Sequence, residues 1–99
     1  MGATDIMVRG AGASMSSAFR ALQEEAEQEY GHDSYNGTIS TISEWTDKTQ
    51  AYAASGRPVE EYLEDLLESL DKREAVGVCL RPPTPGKAGE YIFAGWAAE

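Results

Sequence analysis

The sequence predicts an α+β domain: a two-layer sandwich in the order β-α-β-α-β-β, with helices packed on a mainly antiparallel sheet. Three observations carry this prediction. Ser14–Tyr30 and Pro58–Asp71 repeat apolar residues at helical spacing. Ala75–Arg81 and Glu90–Ala97 are short apolar runs bounded by breakers. The 99 residues are 41% hydrophobic and 25% charged, ordinary globular values that suit one core. Residues 1–99 therefore read as a single acidic α+β domain without linker or repeat.

Asp5–Gly10 reads as a strand, with Ile6 and Val8 on one side and Met7 and Arg9 on the other. Gly10, Gly12 and Ser14 end it, and the Ser14 hydroxyl suits a helix N-cap. Met15, Ala18, Phe19, Leu22, Ala26 and Tyr30 then form one apolar stripe, and Gly31 supplies the stop. After the polar turn His32–Asn36, the β-branched segment Gly37–Trp45 reads as a strand. Ile39 and Ile42 break its alternation and suggest a bulge. Asp47 with Gln50 resembles a capping box, so a short helix closing at Gly56 is an option outside the six-element order.

Pro58 suits the first position of the second main helix, in which Val59, Tyr62, Leu63, Leu66, Leu67 and Leu70 share one face. Lys72 and Arg73 fall at its end, where cations complement the helix dipole. Pro82, Pro83, Pro85, Gly86 and Gly89 separate the last two strands, which predicts a hairpin with a long irregular loop.

Charge is the unusual property. Seventeen acidic residues against eight basic give a net charge of −9. That opposes direct nucleic-acid binding, which relies on Lys and Arg to displace counterions, and docking on anionic membranes. Five of the acids lie in Glu24–Asp33 and six in Pro58–Asp71, windows that contain no Lys or Arg. Like charges at i, i+4, such as Glu60/Glu64/Glu68, cost a few tenths of a kcal/mol each. Two readings stand. The helix face is simply solvated, or it is a negative surface shaped to meet a positive one.

Other chemistry finds little support. His32-Asp33 contains the chain's one histidine, which excludes a histidine-rich metal site, and the acids lack EF-hand spacing. Cys79 sits mid-strand like a small core hydrophobe, and a single cysteine suits a reducing cytoplasm. Gly10-Ala11-Gly12 lacks the further Gly, Lys or Thr of a phosphate loop. A small-molecule or phosphate site at the Gly10–Ser14 helix start remains the least favoured class. No catalytic residue, cofactor or metal is implied. No apolar run approaches the ~20 residues of a membrane span, and Met1–Gly10 lacks the pattern of a secretion signal.

In the last strand Tyr91 and Phe93 point one way, Ile92 and Trp96 the other. One set is expected in the core. The other is expected to face solvent or a protein partner, although Trp45, Tyr91, Phe93 and Trp96 could in principle stack bases.

Three fragments carry a resemblance. Glu29-Tyr30-Gly31-His32-Asp33-Ser34-Tyr35-Asn36-Gly37-Thr38-Ile39, the Gly37-Thr38-Ile39 segment within it, and Tyr91-Ile92-Phe93-Ala94-Gly95-Trp96-Ala97 resemble small proteins of phages and other mobile elements. The strand–helix–(Gly-Thr-Ile) opening is similar to that of some anti-CRISPR inhibitors, whereas Asp47–Arg73 departs from them. The resemblance implies a non-enzymatic inhibitor in the cytoplasm of a bacterial host, binding a nucleic-acid-handling defence complex such as a CRISPR effector subunit.

The residues expected to meet the basic partner are Glu60, Glu61, Glu64, Asp65 and Glu68, with Glu24 and Glu27 extending the patch. The alternative is a homodimeric interaction module without a decoy role. It would join through the last strand at a sheet edge formed by Tyr91, Phe93 and Ala94.

Overall fold

The computed structural model of the protein describes residues 2–33 and 35–99. Met1, in the stretch read for a secretion signal, and Ser34, in the predicted polar turn, lie outside the described residues. The strands are β1 (Ala3–Gly12), β2 (Glu44–Asp47), β3 (Glu74–Arg81) and β4 (Gly89–Ala98). The helices are α1 (Met15–Tyr30), α2 (Thr49–Ser55) and α3 (Val59–Leu67), with a 3-10 turn at Ile39–Thr41. The sheet order is β1-β4-β3-β2. β4 pairs antiparallel with β1 from Ala3↔Ala98 to Gly12↔Gly89, and antiparallel with β3. β2 pairs parallel with β3, from Glu44↔Glu74 to Asp47↔Gly77. The α+β class and the mainly antiparallel sheet are as predicted.

The layers number three where two were expected. In β4, Tyr91 and Phe93 pack into the cluster under α1, while Ile92 and Ala94 pack into the cluster under α3. Successive strand residues point to opposite faces, so the helices cover both sides of the sheet. Topology explains the second cover. The parallel β2–β3 pair requires a crossover, and α2 and α3 are carried in it. Both aromatic sets of the last strand are therefore core, which corrects the expectation that one would be free.

Local chemistry sets α1. Ser14 Oγ accepts from the Ser17 N–H at 3.1 Å, and the Gly31 N–H donates to the Glu27 carbonyl at φ 83°. Its inner stripe, Met15, Ala18, Phe19 and Ala26, is buried. Phe19, Trp45 and Phe93 form a ring cluster with centroids 5.2–5.9 Å apart.

The strand predicted at Gly37–Trp45 is replaced by the 3-10 turn and by β2, which begins only at Glu44. Side-chain hydrogen bonds outcompete the ladder there. Asn36 Oδ1 accepts from the Thr38 N–H and hydroxyl, and Thr38 Oγ1 accepts from the Ser40 N–H. Buried Thr41 ties the turn to the sheet, its hydroxyl donating to the Thr38 carbonyl and accepting from the Ala98 N–H at 2.8 Å.

The optional helix is real, as α2, but its N-cap is Lys48 without a side-chain cap bond, so the Asp47/Gln50 capping box does not form. Asp47 Oδ1 accepts from the Thr49 N–H, and Thr49 Oγ1 accepts from the Cys79 N–H where β3 runs past the end of β2. Pro58 is the N-cap of α3 rather than its first helical residue. α3 stops at Leu67, where the half-buried Trp96 Nε1 donates to the Leu67 carbonyl at 2.8 Å. Lys72 and Arg73 consequently lie beyond its last turn. Lys72 bridges to Trp96, and Arg73 takes φ 70° before β3. The predicted irregular loop is a closed hairpin tip. Thr84 and Lys87 exchange backbone hydrogen bonds around Pro85-Gly86, with Gly86 at φ 79°.

Candidate functional site

α3 presents a buried apolar face and an exposed acidic one. Leu63 and Leu67 are buried against Val76, Val78, Ile92 and Ala94, and Tyr62 and Leu66 are half-buried beside them. Glu60, Glu61, Glu64, Asp65 and Glu68 are exposed on the outer side. The helical repeat aligns Glu61, Glu64 and Glu68 in one row.

The fold supplies two of these acids with cations that the sequence windows lack. Arg9 Nη2 lies 3.5 Å from Glu60 Oε1, and Arg57 Nη2 lies 2.6 Å from Asp65 Oδ2. Arg57 stands one residue ahead of the Pro58–Asp71 window; Arg9 comes from β1, and nothing in the sequence signals its approach. Glu61, Glu64 and Glu68 form no ion pair among the described residues. Helix polarity makes Glu68 conspicuous. It occupies the C-cap, the negative end of the dipole, where a carboxylate is disfavoured.

Glu24 and Glu27 do not extend this patch. α1 lies on the opposite face of the sheet, so the two acidic helices form two separate surfaces. Glu24 is exposed, and Glu27 accepts from, or ion-pairs with, His32 Nδ1 at 3.1 Å. The proposed dimer edge also fails. β4 is an interior strand, and Tyr91, Phe93 and Ala94 are 3%, 0% and 0% exposed.

The Gly10–Ser14 segment has a packing role. A Cβ on Gly10 would lie 2.8 Å from Leu22 Cδ1, and one on Gly12 would lie 2.8 Å from the Ala18 N. The two glycines let α1 lie close against β1. Ser14 Oγ accepts from the Ser17 N–H, and the Ser14 carbonyl takes the first intrahelical bond from the Ala18 N–H.

Among the described residues no three His, Cys, Asp or Glu side chains converge as a metal site. An open groove of about 250 Å³ between α1 and β1 is lined by Ile6, Val8 and Leu22, with Glu25 and Glu29 at its rim. Tyr30, Gly37, Thr38 and Ile39 close its other side. Near the 3-10 turn, Lys72 and Arg73 lie 5.4 and 5.0 Å from the centroid of exposed Tyr35, a cationic spot absent from the predicted site. No helix is long and apolar enough to cross a membrane among the described residues. No family model, curated protein or solved structure matches the chain.

Proposed function

We propose that the chain is a non-enzymatic inhibitor of the kind carried by phages and other mobile elements. In this reading the outer face of α3 docks on a basic, nucleic-acid-binding surface of a host defence complex, and an RNA-guided effector is the target class. The observation that supports it is the exposed row Glu61–Glu64–Glu68, which forms no ion pair among the described residues. Glu61 lies in the first turn, where the dipole favours it, but Glu64 and Glu68 do nothing for the helix that carries them. Glu64 and Glu68 are like-charge neighbours at i, i+4, and Glu68 opposes the dipole. A rigid line of carboxylates steers onto cationic grooves and competes there with phosphates. Glu60 and Asp65 flank the row, and their exposed pairs with Arg9 and Arg57 are weak enough to exchange for a partner's cations.

A pull-down with the intact chain as bait, from bacterial lysate expressing an RNA-guided complex, tests the reading. A nucleic-acid-handling protein should be retained at low salt and released as ionic strength rises, because exposed pairs are screened beyond about 8 Å at physiological salt. Failure to retain any such protein at low salt contradicts it.

A further inference from the structure

We propose that β1 is the interface of a symmetric homodimer in which two copies pair their β1 strands antiparallel about an axis through Met7. This inference does not rest on the acidic face. β1 is ten residues long, pairs with β4 along its whole length and has no strand on its other side among the described residues. Edge strands are usually blunted by Pro, Lys, bulges or shortness. The opposite edge, β2, is blunted in that way by its four residues. β1 has no Pro, Lys or register shift, and its two charged residues, Asp5 and Arg9, are of opposite sign.

The outward backbone groups are identifiable. Gly2 and Glu99 exchange both N–H···O bonds, at 3.1 Å each. Antiparallel pairs alternate between bonded and non-bonded, so the even-numbered residues of β1 bond to β4. Ala3, Asp5, Met7, Arg9 and Ala11 therefore aim their N–H and C=O groups at the free edge.

Those same residues are self-complementary about Met7. Antiparallel pairing on that axis sets Asp5 opposite the second copy's Arg9, Arg9 opposite its Asp5, Ile6 opposite Val8, and Ala3 opposite Ala11. Shifting the register by one allowed step sets Asp5 against Met7 or Ala11 instead, so the charge pair selects one register. Asp5 is exposed and forms no ion pair among the described residues. Arg9 holds Glu60 and Glu90 only loosely, at 3.5 and 3.9 Å. On the other face, half-buried Ile6 and Val8 meet their counterparts beside the α1–β1 groove. The product is a continuous eight-stranded sheet with both α3 helices on one face.

Sedimentation equilibrium of the full chain at physiological salt, which screens the −9 charge of each copy, tests this pairing. The expected mass is twice 10.7 kDa. Asp5→Arg and Arg9→Asp should each weaken association about tenfold by placing like charges opposite, and the double exchange should restore it. Met7→Pro, which removes an outward N–H from an edge strand, should give a folded monomer by circular dichroism. A wild-type monomer across the concentration range overturns the proposal, including one that recruits a strand from a different protein. A dimer indifferent to the single exchanges, or not rescued by the double one, overturns it equally.

Discussion

Tyr91 shows how a single buried side chain ties stability to pH. Its ring is 3% exposed in the α1 cluster, and burial, with Cys79 beside it, raises its pKa above the ordinary 10.0. The unfolded chain therefore loses this proton first as pH rises, so the folded state binds more protons above about pH 10. Stability from this group is complete below its unfolded value and is lost as pH climbs through its folded value. Urea midpoints measured near neutrality and above pH 10 should fall further for the wild type than for Tyr91→Phe. Equal losses would mean that the phenol ionises alike in both states. At this scale the sequence was informative about Ser14, Gly31 and Leu63, whose roles depend on immediate neighbours. It was silent on Arg9 and Thr41, whose partners Glu60 and Ala98 lie more than fifty residues away.

At the scale of elements, α3 separates packing from charge. Leu63 is fully buried between the sheet and its own helix, so Leu63→Ala removes burial and leaves a cavity. The cost should be about 2–5 kcal/mol, a large share of a small domain's stability, and half-buried Leu66→Ala should cost less. Thermal melts monitored by circular dichroism give both values. A Leu66 loss exceeding that of Leu63 would contradict the packing. α1 and α3 were legible because caps and periodicity are local signals. β2 was not, because its four residues become a strand only through pairing with β3, while Asn36 and Thr38 hold the preceding segment in a turn. β4 carries a signal of its interior place. Its near-continuous apolar run is the pattern of a strand buried on both faces, and an edge strand would alternate.

Across the whole molecule, the sheet decides which charges can act together. It places α1 and α3 on opposite sides, so the acidic excess that looks like one property of the sequence becomes two separate surfaces. Composition gave the magnitude of the charge but not its partition, since that follows from the β2–β3 crossover. The α1 acids remain apart from the row on α3, and Arg9 and Arg57 narrow that row to Glu61, Glu64 and Glu68.

The row makes a demand that no packing argument shares, and one triple variant, Glu61→Lys with Glu64→Lys and Glu68→Lys, isolates it. Its melt should stay close to that of the wild type, because small gains and losses offset. Lysine at position 68 suits the C-terminal dipole and lysine at position 64 faces Glu60, while lysine at position 61 opposes the dipole in the first turn and positions 64 and 68 remain like-charged. The decisive measurement is its affinity for the captured nucleic-acid-handling complex, beside the wild type at the same salt. Close interfacial charge pairs couple by about 1.5 kcal/mol or more, so reversing three should weaken binding at least about a hundredfold. A folded triple variant that binds its target as tightly as the wild type would contradict the account and leave the acidic row as solvated surface.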